Sequence, residues 1–302
     1  QHPFLHIYGL PPLQGAALGE PGRNDYGFTF TIVNNAEVKD TETESIRLDG
    51  ETYFADFRLR RRVHERLEIG LDLPFVKHSN GVLDDAIFDW HDLWGMSNSK
   101  RDGPSNNLNY RYSNNGSVEQ QIMSSSSGIG DVQLSAAVPF VAGGGDGSRH
   151  VTMRFSVKLP TGDSADLHGS GATDAAVGLY AQDSGTLLGK DFAYLGFAGV
   201  LALGDGDILT EQQRSAVPYG GVAATWHATE QFGITGQLQA QGAYIDSDLD
   251  ELGGSSIQLA VGGIYRFPRH GVSLRFALVE DVISDATPDF AVHLAIHLSG
   301  GR

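Results

Sequence analysis

This sequence predicts a single closed antiparallel β-barrel that crosses a membrane. Apolar and polar residues alternate with a period of two along most of the chain, and many of the alternating runs last about ten residues. The links between the runs are short and long by turns. About ten residues is what a tilted strand needs to cross a bilayer (~9–11), against the ~5–6 of strands in soluble proteins. A soluble sandwich also alternates, but nothing in its architecture makes every second link a tight turn.

Candidate strands fall near residues 26–36, 47–61, 66–76, 129–141, 150–160, 172–182, 190–202, 215–227, 230–244, 254–267, 271–282 and 289–299. That is about twelve, the kind of even number bacterial barrels use. Residues 1–25 are expected as an N-terminal periplasmic segment and 26–302 as the barrel, with both chain ends on the periplasmic side. The opening Gln1-His2-Pro3 lacks an initiating Met and reads as a processed N-terminus. In the third strand Leu67, Ile69, Leu71 and Leu73 alternate with Glu68, Gly70 and Asp72. In the fifth, Val151, Met153, Phe155 and Val157 alternate with Thr152, Arg154, Ser156 and Lys158. The last strand sets Phe290, Val292, Leu294, Ile296 and Leu298 against Ala291, His293, Ala295 and His297. Tight links are expected at 62–65, 143–147, 183–189, 228–229 and 268–270, and one long extracellular loop at 77–128.

Composition agrees. With 21 basic and 37 acidic side chains the formal charge is −16, which excludes nucleic acid as a partner, because phosphate binding needs a basic surface. There are no cysteines, so disulfides, thiolate metal sites and thiol nucleophiles are absent. No run approaches the ~18 apolar residues of a membrane helix. Acidic residues gather in the expected outer loops (Asp205, Asp207, Glu211; Asp246, Asp248, Asp250, Glu251), as solvated loops or as ligands for divalent ions. Basic residues such as Arg60, Arg61, Arg62, Arg66, Arg266 and Arg269 gather near the expected inner turns. Tyr26, Phe28, Phe75, Tyr194, Tyr219, Trp226, Tyr244, Tyr265 and Phe267 are candidates for the aromatic girdles at the two membrane surfaces.

Several segments resemble a Gram-negative outer-membrane family known only as a conserved domain of unknown function. They are Ile7-Tyr8-Gly9-Leu10-Pro11, Leu48-Asp49-Gly50-Glu51-Thr52, Leu73-Pro74-Phe75-Val76 and Asp89-Trp90-His91-Asp92-Leu93-Trp94-Gly95. Gly128-Ile129-Gly130-Asp131, Leu159-Pro160-Thr161-Gly162-Asp163 and Gly169-Ser170-Gly171-Ala172-Thr173-Asp174 complete the set. The resemblance implies a barrel in the outer membrane and supplies no activity. Outer-membrane lipid and lipopolysaccharide are then the expected surroundings, with the extracellular loops as a surface for a protein partner.

Strand parity gives the candidate lumen lining: Asp56, Arg58, Arg60, Glu68, Asp72, Asp131, Arg154, Lys158, Gln237, Gln239, Arg275, His293 and His297. Arg58 and Arg60 are placed to face Glu68 and Asp72 on the hairpin partner. Such a lining is either a bonded network that stiffens the wall or a polar route for small solutes, and its mixed signs argue against strong ion selectivity. In the loop at 77–128, Ile87, Phe88, Trp90, Leu93 and Trp94 have the spacing of a short amphipathic helix and are candidates for a lid or gate. Asp89, His91 and Asp92 in the same segment are candidates for a carboxylate–imidazole base. His78 and Ser79 do not make a nucleophile pair, because neighbours on a strand point to opposite faces. No cofactor or metal is expected: the Asp246-x-Asp248-x-Asp250 run has Glu251 where a calcium loop needs Gly. His293 and His297 lie about 13 Å apart on one strand, too far to share an ion. Three readings stand in order: a channel or transporter for small polar solutes, a closed barrel that docks partners through its loops, and a rim hydrolase.

Overall fold

The computed structural model describes residues 2–80, 107–144, 149–283 and 290–299. Its first strands are β1 (Asn24–Asp40), β2 (Glu44–His64) and β3 (Leu67–Ser79), followed by the short β4 (Asn109–Asn114), β5 (Ser117–Ile122) and β6 (Ser126–Ile129). Then come β7 (Gln133–Gly144), β8 (Arg149–Lys158), β9 (Asp174–Leu187), β10 (Lys190–Ala202), β11 (Ala216–His227) and β12 (Phe232–Gln241). β13 (Ser256–Phe267), β14 (Val272–Ile283) and β15 (Phe290–Ser299) complete the wall. β2 pairs with β3, β3 with β7, and each later strand with the next. Closure is made by β1, which pairs with β2 on one side and with β15 on the other, from Asp25↔Ser299 to Asn34↔Phe290. Setting aside the three short strands leaves twelve antiparallel strands in the wall among the described residues.

The two faces are inverted relative to a soluble protein, as a membrane barrel requires. On β15 the side chains of Leu294, Ile296 and Leu298 are 52%, 43% and 44% exposed, and His293, Ala295 and His297 turn inward between them. The same outward apolar belt runs through Phe28, Ile69, Phe155, Leu179, Val222 and Leu278. Tyr194, Tyr265 and Phe267 stand on this outer face beside the turns. Tyr219 and Tyr244 do not join a girdle; both are buried inside. Tyr219 has the opposite parity to Trp226 on the same strand, so the two cannot share a face.

Two further expectations are corrected. The link between the first two strands, read from the sequence as residues 37–46, is a tight hairpin, because both strands run on past the wall, to 17 and 21 residues. The upper part of β2 bends at Gly50, whose φ of +142° suits glycine, and there it pairs with β4 instead of β3. The N-terminal segment, expected in the periplasm, lies inside the barrel: residues 2–19 descend from the end bearing the long loops to the end bearing the turns. The apolar core of the molecule surrounds the start of this segment, where Phe4, Leu5, Ile7 and Tyr8 are buried with Ile46, Leu48, Tyr110, Tyr112, Leu167 and Leu252. A chain with four such side chains in its first eight residues finds a dry site, and the loop end of the lumen supplies it.

Candidate functional site

The lumen is the candidate site, and the N-terminal segment divides it. One wall, built by β2, β3, β8 and β9, holds the segment at successive heights. Lys158 Nζ donates to the Ile7 carbonyl at 3.0 Å, and the Gly9 N–H donates to Asp174 at 2.9 Å. Lower down, Thr152 Oγ1 donates to the Ala16 carbonyl at 2.6 Å, and the Ala16 N–H donates to Gln182 at 3.2 Å. Arg154 reaches both the Gly15 carbonyl (2.8 Å) and Gln14 (2.9 Å). Near the turn end the Gly19 N–H donates to Glu68 at 2.9 Å, and Arg62 donates to the Gly19 carbonyl at 3.2 Å. These bonds satisfy backbone groups that a strandless segment would otherwise bury without partners.

Four of the segments that carry the family resemblance, 7–11, 128–131, 159–163 and 169–174, converge on the top of this wall. Lys158 is fully buried between Asp131 (2.7 Å) and Asp174 (3.0 Å) and also donates to Ser170 Oγ. Asp131 accepts the N–H groups of Gly162 (2.8 Å) and Ser170 (3.0 Å). Gly169 packs so closely on Asp131 that a Cβ there would lie 2.2 Å from a carboxylate oxygen. The recurring Gly-Asp, Thr-Gly-Asp and Gly-Ser-Gly patterns thus build one latch: two carboxylates, their backbone donors and a lysine that grips the N-terminal segment.

Above the latch, the loops close over the apolar start of the segment. Tyr8 stacks on Tyr244 at 5.0 Å between ring centroids, Phe4 meets Tyr112 edge-on at 6.4 Å, and His2 Nε2 lies 2.8 Å from the Glu251 carbonyl. Burial pushes the His2 imidazole pKa down to about 4 and holds that of His6 well below its ordinary value. Glu44 ties the dome together, accepting from Tyr112 Oη, from Gln212 Nε2 at 2.8 Å, from Ser247 Oγ at 2.9 Å and from the Asp248 N–H at 2.8 Å. Burial alone would push the Glu44 carboxyl pKa up. These donors, Tyr112 first, outweigh it and hold the group below the usual carboxylate range.

Open space remains beside the segment, much of it toward the opposite wall. Two cavities of ≈ 330 and ≈ 540 Å³ meet there, sharing Thr31, Asp56, Arg58, Gln239, Gln258 and His293 in their linings. The larger reaches toward the turn end past Thr225, Gln237 and Arg266; the smaller reaches toward the dome past Gln241, Val76 and His6. Small inward residues, Ala260, Gly262, Ala291 and Ala295 among them, keep this side wide. Between β9 and β11 the lumen is instead filled by Tyr180, Phe197 and Tyr219. Tyr219 fits because Gly178 and Gly199 face it: a Cβ on either would lie within 2.6 Å of the ring or its hydroxyl.

The inward set read from parity falls into three groups that overlap, since Asp72, Asp131 and Lys158 also line the smaller cavity. Asp56, Arg58, Gln237, Gln239, Arg275 and His293 border the open space. Arg154, Lys158, Asp131 and Glu68 serve the N-terminal segment or its latch. Arg60 and Asp72 form a buried pair at 2.6 Å that Arg58 joins at 2.8 Å. Glu68 does not pair with Arg58 or Arg60; it pairs with Arg154 at 3.2 Å, because the register sets Asp72 opposite Arg58 and Gly70 opposite Arg60. His297 lies on the inward face, outside the cavity linings. His78 is buried against Thr52, while Ser79 bonds to Asn80. Ile87, Phe88, Trp90, Leu93 and Trp94, with Asp89, His91 and Asp92, lie outside the described residues. Among the described residues no group of three or more His, Asp or Glu side chains is placed to hold a metal ion.

A family model described as a protein of unknown function (DUF3187) matches residues 1–298. No curated protein sequence matches the chain. Among solved structures, an outer membrane channel from Pseudomonas putida F1 is similar with a TM-score of 0.59 at 13% identity, over 96% of this chain and 100% of that one. The translocator domain of the autotransporter NalP from Neisseria meningitidis has a TM-score of 0.45 at 10% identity, over 92% of this chain and 88% of that one. At 13% identity the likeness to the channel is one of fold.

Proposed function

The chain belongs to the DUF3187 family, and from its lumen we propose that it is a bacterial outer-membrane barrel that passes small polar solutes. The observation that carries this reading is that the two cavities adjoin along the β12–β15 and β1–β2 side, where they share a lining in which Thr31, Asp56, Arg58, Gln239, Gln258 and His293 stand among Pro12, Leu13 and Val279. A barrel that served only as a scaffold would gain more by filling this space with apolar side chains, as it does between Tyr180 and Tyr219. The outward apolar belt fits a lipid surround, with lipopolysaccharide on the loop side. The dome over residues 4–8 narrows the loop end, which favours a small passage over a wide pore.

The test is planar-bilayer recording of the purified barrel together with swelling of proteoliposomes in small neutral sugars. Small stepwise openings and size-limited swelling are expected. A well-folded barrel that is silent in both would overturn the passage and favour the closed docking barrel.

A further inference from the structure

The larger cavity is charged in a way the chain as a whole is not. Its lining holds three guanidinium groups, Arg58, Arg266 and Arg275, against one carboxylate, Asp56, in a protein of net charge −16. Arg58 is bound to Asp72 at 2.8 Å, but Asp72 is already taken at two oxygens by Arg60. Among the described residues the guanidinium of Arg266 has only the ring nitrogen of His227, at 3.2 Å. No hydrogen bond or ion pair among the described residues holds the guanidinium of Arg275.

The backbone brings these groups together. In the β13–β14 register Ser273 stands opposite Arg266 and Ile264 opposite Arg275, so the two arginines are inward-facing diagonal neighbours. Like charges placed side by side in a cavity of low dielectric repel each other unless an anion sits between them. Around them stand Thr29, Thr235, Gln237, Gln239 and Gln258, donors and acceptors suited to hydroxyl groups.

We infer that the turn-end half of the lumen is a binding site for a small hydroxylated organic oxyanion, with Arg266 and Arg275 clamping the oxyanion and the glutamines and threonines reading the hydroxyls. Guanidinium forks match carboxylate and phosphate oxygens in the same planar way. This inference names the solute class for the passage proposed above and rests on that reading for its transport role, though not for binding.

Equilibrium dialysis of the intact barrel in detergent tests binding apart from conductance, with glucuronate, glucose 1-phosphate and glucose as probes. Retention of either anion over glucose is expected, and whichever is held better identifies the carboxylate or the phosphate as the preferred group. Arg275→Gln should weaken anion retention about tenfold or more, the loss of a charge-assisted hydrogen bond. Arg149→Gln, which removes a charge from the outer surface beside Asp183, should leave it unchanged. Equal retention of glucose and both anions, or a response to Arg149→Gln as large as that to Arg275→Gln, would overturn the inference. A barrel that binds the anions but stays silent in the bilayer would overturn the passage and leave the site standing.

Discussion

Asp174 accepts the backbone N–H of Gly9 at 2.9 Å, so a residue near the start of the chain is fixed to the rim of β9. The contact leaves no room for a side chain: a Cβ on Gly9 would stand 3.0 Å from the Cβ atoms of both Asp174 and Lys158. Neither neighbour can yield by rotating, because a Cβ moves only with its backbone. Gly9→Val should therefore lift the N-terminal segment off the latch while the barrel still assembles. Limited proteolysis of the folded protein reads this directly: the variant should lose its first residues at protease levels that leave the native chain whole. Equal resistance would mean that the segment is held elsewhere.

The latch itself depends on one cation. Lys158→Met leaves Asp131 and Asp174 buried without a countercharge, which costs about 3–5 kcal/mol when a buried pair is broken from one side. The triple change Lys158→Met with Asp131→Asn and Asp174→Asn removes the stranded charges too and should recover much of that loss. Denaturant unfolding in detergent, compared across the three proteins, gives the ranking. A Lys158→Met protein as stable as the native one would show that the latch is not buried in solution.

Much of the wall was legible, because a barrel writes its two environments into strand parity. Leu294, Ile296 and Leu298 face out and His293 and His297 face in as the alternation requires. Register was legible only in part: the hairpin brings Asp72 to Arg58 and Arg60 as expected, but nothing local sends Glu68 to Arg154. The interior segment was missed because period two says nothing about a strandless stretch. A signal was present nonetheless, since Phe4, Leu5, Ile7 and Tyr8 are too apolar for a solvated tail. The motifs that carried the family resemblance had no chemistry on their own; their role shows only where Asp131, Asp174 and Gly9 meet around Lys158.

Glu44 is a single carboxylate serving three parts of the dome, and a neutral replacement should loosen them together. Glu44→Ala removes the acceptor for Tyr112, Gln212, Ser247 and the Asp248 N–H at once. Each hydrogen bond to a charged group is worth about 1.5–3 kcal/mol, but the four share one side chain and will not sum. Hydrogen exchange should speed up in β4, in residues 210–212 and in residues 246–250, and stay unchanged in β10. Faster exchange confined to β2 would show that Glu44 acts locally.

The absence of native cysteines makes the interior segment easy to tether. Thr152 Oγ1 lies 2.6 Å from the Ala16 carbonyl, so cysteines at 16 and 152 can be joined by a short bifunctional thiol reagent. With the segment held, any conductance should persist, because the open space lies on the other side of it, along Gln239, Gln258 and His293. Conductance that vanishes on tethering and returns on cleavage would mean that solutes pass only when the segment leaves.

Acid should free the start of the chain. His2 and His6 are buried and neutral. The His2 pKa is pushed down to about 4 by burial, its bond to the Glu251 carbonyl offsetting this only in part. His6 is held low by burial first, and then by the neighbouring His78 and His168. Asp163 and Asp166 raise the His168 pKa, but burial outweighs them. In a displaced segment each imidazole returns toward its ordinary value of 6.5 and takes up a proton more readily than in the dome. The displaced state therefore binds more protons between pH 6.5 and about 4, and the contribution of His2 and His6 to docking is present above that window and lost as pH falls through it. For His2 alone this loss is about 3 kcal/mol by pH 4. Protease accessibility of residues 2–10 should rise steadily across this range, and His2→Gln with His6→Phe should flatten the response while leaving the barrel folded. A native profile already flat from pH 7 to 4 would show that these imidazoles are hydrated, and that the dome over Phe4 and Tyr8 stands open in solution.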